Sequence, residues 1–136
     1  MPEQTNLSDE EMRRYARHVS LPSFGIEGQN RLKESSVLCI GAGGLGSPSS
    51  MYLAAAGVGR IGLVDMDKVD ASNIQRQLLH GTNDIGRKKI ESAKDTIHNI
   101  NPNVQLDTFG EAFKPENSIS IAKNYDIIID GTDNFP

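Results

Sequence analysis

The sequence predicts an α/β protein built on a doubly wound, mainly parallel sheet. Three observations predict it. Two apolar runs, residues 37–40 and 61–64, bracket a helix-like run over 47–56. A glycine-rich turn, Gly41-Ala42-Gly43-Gly44-Leu45-Gly46, joins the first run to that helix. The second run ends on an acid, Asp65. Strand, glycine loop, helix, strand and acid in this order make a Rossmann-like nucleotide-binding unit. The glycines let backbone approach phosphate, the helix N-terminus supplies oriented N–H groups, and the acid can accept from ribose hydroxyls. A glycine pattern alone is weak evidence, and its flanking elements make it informative.

The other elements come in chain order. Ser8-Asp9-Glu10-Glu11 is a capping box and predicts a helix over 9–18, with Met12, Tyr15 and Val19 on one side. Leu21-Pro22 ends it. A short second helix is predicted over 26–33. Residues 37–40 form the first strand, apolar throughout as a strand covered on both faces should be. The helix over 47–56 tolerates Pro48 in its first turn and ends at Gly57 or Gly59. Residues 61–64 form the second strand. Ile90, Ala93, Ile97 and Ile100 recur at helical spacing and predict a helix over 86–100, ended by Pro102. Residues 104–109 alternate as a third strand, 115–123 form a short helix, and 126–130 read as a fourth, buried strand. Right-handed crossovers then give the order 3-2-1-4. The switch point falls between strands 1 and 4, beside the glycine loop and residues 131–134. Residues 1–35 read as an N-terminal helical segment and 36–136 as the nucleotide-binding half of a larger domain. Such sheets normally continue past a fourth strand. The chain therefore reads as the N-terminal half of a longer enzyme, expected to be inactive alone, rather than as a naturally short protein.

Composition narrows the function. The 136 residues carry 14 Lys and Arg against 18 Asp and Glu, a net charge of −4 without long like-charged runs. That gives no general affinity for nucleic acid. The N-terminus is polar and acidic, and no stretch is apolar enough to span a bilayer, so a soluble cytosolic protein with no membrane partner is expected. The single cysteine, Cys39, excludes an intrachain disulfide and a multi-cysteine metal site. It reads as a small buried hydrophobe. His18, His80 and His98 have no metal-ligand spacing and read as incidental.

The residues beyond Asp65 narrow the nucleotide to ATP: Asp67, Asn73, Arg76, Lys89 and a final Asp130-Gly131-Thr132-Asp133-Asn134. Gly41, Gly43 and Gly44 bring N–H groups near phosphate, although a plain tight turn has the same composition. Arg76 offers a planar, always-charged fork to phosphate oxygens, or else a surface ion pair. Lys89 is a point charge early in its helix, while Arg87 and Lys88 read as a solvated face. Asp133 suits magnesium, a hard ion that takes carboxylate, water and phosphate oxygens; Asp130 competes for that role.

The chain resembles the MoeB/ThiF family, bacterial relatives of ubiquitin-activating enzymes. The resemblance runs through Arg14-Tyr15-Ala16-Arg17-His18, the glycine loop with Ser47-Pro48, and Leu53-Ala54-Ala55-Ala56-Gly57-Val58-Gly59. It continues through Asp65-Met66-Asp67, Ser72-Asn73-Ile74-Gln75-Arg76-Gln77 and Gly131-Thr132-Asp133-Asn134. It is closest to the molybdopterin-synthase adenylyltransferase branch, including forms fused to a rhodanese domain.

The resemblance implies ATP-dependent adenylation of the C-terminal glycine of a ubiquitin-like sulfur-carrier protein, ahead of thiocarboxylate formation. It implies ATP and Mg²⁺, a homodimer, and a sulfur donor such as a rhodanese or cysteine desulfurase. Structural Zn²⁺ is implied only for a later half of the protein. By resemblance Ser72, Asn73, Ile74, Gln75 and Arg76 line the nucleotide with Asp65, Asp67, Lys89, Asp133 and Asn134. Arg17 acts in trans on the partner's ATP. Three rivals stay open: a nicotinamide-dependent oxidoreductase, an ATP-dependent dehydratase that modifies tRNA, and a non-enzymatic half that only supports a dimer.

Overall fold

β1 (Ser36–Ile40) is the centre of the fold, and its alternation explains why. In the computed structural model, which describes residues 6–42, 46–73 and 79–131, every β1 residue is buried. Val37 and Cys39 point into one apolar cluster with Ala54, Val58, Ile61, Leu63, Ile90, Ala93 and Ile97. Leu38 and Ile40 point into a second, with Val64 and Ile121, against which Phe109, Phe113 and Tyr125 pack. A strand covered on both faces must be apolar at consecutive positions. α4 (Gly46–Ala56) and α5 (Lys89–Ile100) cover the first face, and α6 (Pro115–Ala122) covers the second.

β2 (Arg60–Val64), β3 (Gln105–Phe109) and β4 (Ile127–Asp130) complete one sheet in the order β3-β2-β1-β4. All three ladders are parallel. The predicted order and switch point are what the sheet has. At the opposite end of the strands, Asp126 accepts from the Ser36 amide at 3.0 Å and sets the β1–β4 register. Beside it, the Tyr125 hydroxyl donates to Asp107 at 2.7 Å, and Arg60 stacks over the Tyr125 ring while pairing with Asp107.

Four expectations need correction. The first helix is two: α1 (Asp9–Arg14) and α2 (Ala16–Val19), broken where Tyr15 leaves helical angles at φ −103°, ψ 17°. The break turns the Tyr15 ring inward, where its hydroxyl accepts from Asn101 at 2.6 Å. The helix predicted from residue 86 begins at Lys89, because Gly86 turns with φ +88° and 86–88 pair with the loop after β2. Arg87 is no solvated bystander: it binds Asp84 at 2.8 Å and Asp95 at 2.7 Å. β4 is not buried. It is an edge strand among the described residues, leaving Ile127 56% and Ile128 48% exposed. The capping box is as read: the Ser8 amide donates to the Glu11 carboxylate and the Glu11 amide to Ser8 Oγ, both at 3.1 Å.

α3 (Gly25–Glu34) packs on α2, and its Gln29 reaches the end of α4. Gln29 on α3 donates to the Ala56 carbonyl at 2.8 Å, and Asn101 donates to that of Ala54 at 2.7 Å. These side chains bond carbonyls of the last turn of α4, where backbone partners run out, and that of Ala54 also accepts from the Gly57 amide at 3.1 Å. Gly57 ends α4 at φ +101°, where a Cβ would fall 2.4 Å from Gln29 Nε2 and 2.8 Å from the Tyr15 ring. Gly57→Ala should therefore cost about 2 kcal/mol through both left-handed strain and overpacking. Gly81→Ala, with φ −114° and a nearest atom at 3.6 Å, should stay within about 0.5 kcal/mol of the parent. Urea midpoints of the two variants check the difference.

Candidate functional site

Three strand ends meet at one edge of the sheet. The Gly41 amide donates to the Val64 carbonyl at 2.7 Å, and the Gly131 amide donates to that of Ile40 at 2.8 Å. Both ladders thus continue one residue past the strands. At Gly41 the backbone then turns with φ +91°, a region that favours glycine. α4 begins five residues on at Gly46, so the positive end of an eleven-residue helix lies at this edge.

Asp65 organises the next layer. Its Oδ2 accepts from the Ala42 amide and its Oδ1 from the Asp67 amide, both at 2.8 Å. Each oxygen keeps a second lone pair for a ligand. The Asp67 carboxylate is exposed, and the residue joins the network through its carbonyl, which accepts from the Lys89 amide at 2.9 Å. Residues 67–69 run antiparallel to 86–88: the Val69 amide donates to Arg87 and the Gly86 amide to Val69, with a bridge between Lys68 and Lys88. This ribbon delivers Lys89 to the first position of α5.

Lys89 is only 6% exposed, and its ammonium has no hydrogen bond or ion pair among the described residues. A buried, uncompensated ammonium is costly. An anionic ligand removes that cost.

His80 is the residue the sequence reading missed. It is 4% exposed, with both ring nitrogens engaged. Nε2 lies 2.9 Å from the Ala42 carbonyl, which can only accept, so Nε2 carries the proton. Nδ1 therefore accepts from the Ser92 hydroxyl at 2.7 Å. Burial, reinforced by the nearby Lys89 charge, pushes the His80 imidazole below its ordinary pKa, against the Ala42 carbonyl, Asp84 and Asp65. Thr96 Oγ1 fixes the preceding backbone by donating to the Leu79 carbonyl at 2.6 Å. No periodic signal marks such a residue. Its partners lie 38 positions before it and 12 after it.

Gly41, Asp65, Asp67 and Lys89 are thus brought together. Ser72 sits in a 3₁₀ turn, Ala71–Asn73, where its amide and hydroxyl both donate to Asp70 Oδ1, at 2.8 and 2.7 Å. Arg17 is not brought to this cluster in its own chain. It is exposed on α2, whose neighbours Tyr15 and His18 contact Asn101 and Gln29 at the far end of α4. An eleven-residue helix is about 16 Å long. Gly43, Gly44, Ile74, Gln75, Arg76, Asp133, Asn134 and the Asn73 side chain lie outside the described residues. Asp130 is exposed at the end of β4. Cys39 is buried, its thiol pushed up to about 11 by desolvation. Among the described residues no helix is long and apolar enough to cross a membrane.

The ThiF family model matches residues 15–136. The chain belongs to the ThiF family. A Mycobacterium tuberculosis relative named "Probable adenylyltransferase/sulfurtransferase MoeZ" is 54% identical over 129 residues, covering 95% of this chain and 33% of the relative. A Porphyra purpurea relative named "Probable molybdopterin-synthase adenylyltransferase" is 54% identical over 131 residues, covering 96% and 34%. This ThiF-family chain therefore spans about a third of the length of both relatives. Among solved structures, the Escherichia coli tRNA N6-threonylcarbamoyladenosine dehydratase TcdA in complex with ATP has TM-score 0.88 and 28% identity, over 93% of this chain and 52% of that one.

His80 makes a pH prediction. Its folded pKa is lowered, so its contribution to stability is present above the ordinary value of 6.5 and is lost as pH falls below it. Glu11 and Asp84 act in a separate, lower window. For Glu11, burial opposes ionisation but Lys33 and Ser8 outweigh it; for Asp84, the Gly81 amide is the main support. Their contributions are lost only as pH falls beneath their ordinary values of 4.5 and 3.8. Thermal midpoints measured between pH 7 and 5 should decline in the parent protein and decline less in His80→Gln.

Proposed function

We propose that the protein containing this chain adenylates the C-terminal glycine of a ubiquitin-like sulfur-carrier protein, using ATP. The observation that carries the reading is the buried Lys89 ammonium without an anionic partner among the described residues. It lies near His80, which with Asp65 holds Ala42 at the start of the glycine loop. The adenylyltransferase names of the two 54%-identical relatives support the same reading.

The chemistry asks for cations more than for acids and bases. The carrier's carboxylate is already ionised and attacks the α-phosphorus of ATP. A carboxylate–phosphorus bond forms as the bond to the bridging oxygen breaks, and pyrophosphate leaves. Two anions must approach, so fixed positive charge near the phosphates lowers the barrier. Lys89 supplies one such charge. Arg76 supplies a second, and the α4 N-terminus adds its dipole. Asp65 orients the ribose through its free lone pairs. Asp133 holds magnesium, which neutralises phosphate charge, and Asn73 and Asn134 line the nucleotide. Arg17 reaches the ATP of a second copy, making two composite sites in a homodimer. A rhodanese-type or cysteine-desulfurase donor then supplies sulfur to the acyl-adenylate. The remainder of the protein carries the carrier surface and structural zinc, in the cytoplasm.

The likeness to TcdA favours a second reading, ATP-dependent chemistry on a tRNA base. Labelled pyrophosphate should exchange into ATP when the full-length protein meets a carrier ending in Gly-Gly under magnesium. Exchange that no sulfur carrier elicits, with ATP turnover that requires tRNA, selects the second reading. Reduction of a nicotinamide cofactor without magnesium selects an oxidoreductase.

Lys89→Ala and Arg17→Ala should each slow exchange by about a hundredfold or more, the usual cost of one lost transition-state contact. Arg17→Ala should leave stability nearly unchanged, since an exposed helix arginine contributes little. Mixing the two inactive full-length variants, with subunit exchange verified, should restore part of the activity. One site in the mixed dimer then has both residues. No recovery at any ratio rejects an arginine acting across the interface.

A further inference from the structure

We propose that His80 is a positioning residue for the nucleotide's phosphates: by gripping the Ala42 carbonyl it sets the start of the glycine loop against α5. The proposal rests on the nucleotide reading of the site.

Ala42 is held on both sides. Its amide donates to Asp65 and its carbonyl accepts from His80, while its side chain is fully buried. A peptide group is planar, with its N–H opposite its carbonyl. Whatever fixes the Ala42 carbonyl therefore fixes the presentation of the amide sharing its plane. Asp65 alone, one peptide earlier, leaves that plane free to rotate. His80 removes this freedom, and the Ser92 hydroxyl fixes the ring that does so.

The strut also sets a distance. Ser92 and Lys89 are three residues apart on α5 and share a face of the helix. The same helix thus carries the buried ammonium and, through Ser92 and His80, the hold on the Ala42 carbonyl. The charged groups around the ring are Lys89 from α5, Asp84 from the 3₁₀ turn Thr82–Asp84, and Asp65 after β2. None of the three takes a ring nitrogen as its partner, so the strut is directed at the loop.

The two amide variants separate this role from simple packing. His80→Gln places an amide N–H near the position of Nε2 and keeps a donor for Ala42. His80→Asn keeps a polar group near Nδ1, opposite Ser92, and leaves the Ala42 carbonyl without its donor. Each removes one buried hydrogen bond, so both should lower the thermal midpoint of the full-length protein by similar amounts. Calorimetry with magnesium-ATP should show His80→Asn binding about tenfold more weakly, the equivalent of one lost hydrogen bond. His80→Gln should stay within about threefold of the parent. Adenosine, which lacks phosphates, should compete equally for the parent and His80→Asn.

Equal ATP affinity in all three proteins overturns the proposal and leaves the nucleotide reading intact. Loss in both variants in step with their stability, for adenosine as for ATP, assigns His80 to packing alone and also overturns it. A parent protein that binds no magnesium-ATP removes the nucleotide reading and the proposal together. Should His80→Asn fail to fold, imidazole nitrogen–proton spectra of the parent give the answer. They should show the Nε2–H tautomer at neutral pH, with proton exchange slowed by magnesium-ATP. An Nδ1–H tautomer, or an exchange rate that ATP does not change, overturns the strut.

Discussion

The Asp65 carboxylate ties the ends of two neighbouring strands together. One oxygen holds the amide that comes after Gly41 beyond β1, and the other closes the chain's own turn beyond β2 at Asp67. Hydrogen bonds to a charged group contribute about 1.5–3 kcal/mol when well formed. Both bonds here go to backbone, so they set the path of the chain rather than the position of one side chain. From Asp67 the path passes to Lys89, and from Lys89 along α5 to Ser92 and His80, which returns it to Ala42. The candidate site is a closed ring of contacts, and Asp65 is where the ring meets the sheet.

Each part of the ring has another task as well. α5 covers one face of the sheet with Ile90, Ala93 and Ile97, so its other residues cannot shift without moving the core. The 67–69 and 86–88 ribbon is anchored by Arg87 between Asp84 and Asp95. Sites built on packed elements hold their geometry better than sites on free loops.

How much of the fold and site is legible in the sequence depends on the range of each interaction. The capping box at Ser8 spans three residues and reads directly. β1 reads from its unbroken apolar run, because cover on both faces leaves that mark. β4 has the same apolar run but is half-exposed, since burial depends on what lies beyond an edge, which no local pattern records. The start of α5 falls three residues later than its periodicity suggests, because antiparallel pairing with a distant loop overrides helical propensity. Asp65 and Gly41 are legible from order along the chain. Lys89 is singled out by resemblance, and only the fold shows that it is buried. His80 leaves no trace, because its two partners are set by tertiary packing.

The β1–β4 pairing also governs when the site can exist. Ser36 and Asp126 are 90 positions apart, and every contact of β4 with β1 closes a loop of that order. Such long closures come late in folding, after the nearer β1–β2 pairing has formed. On the ribosome, synthesis proceeds from the N-terminus at about 5–20 residues per second. The glycine loop, Asp65 and Lys89 are therefore all made some seconds before Gly131 arrives to close the other wall against Ile40. A nascent chain carries half a crevice through that interval, and its second wall waits on the arrival of β4.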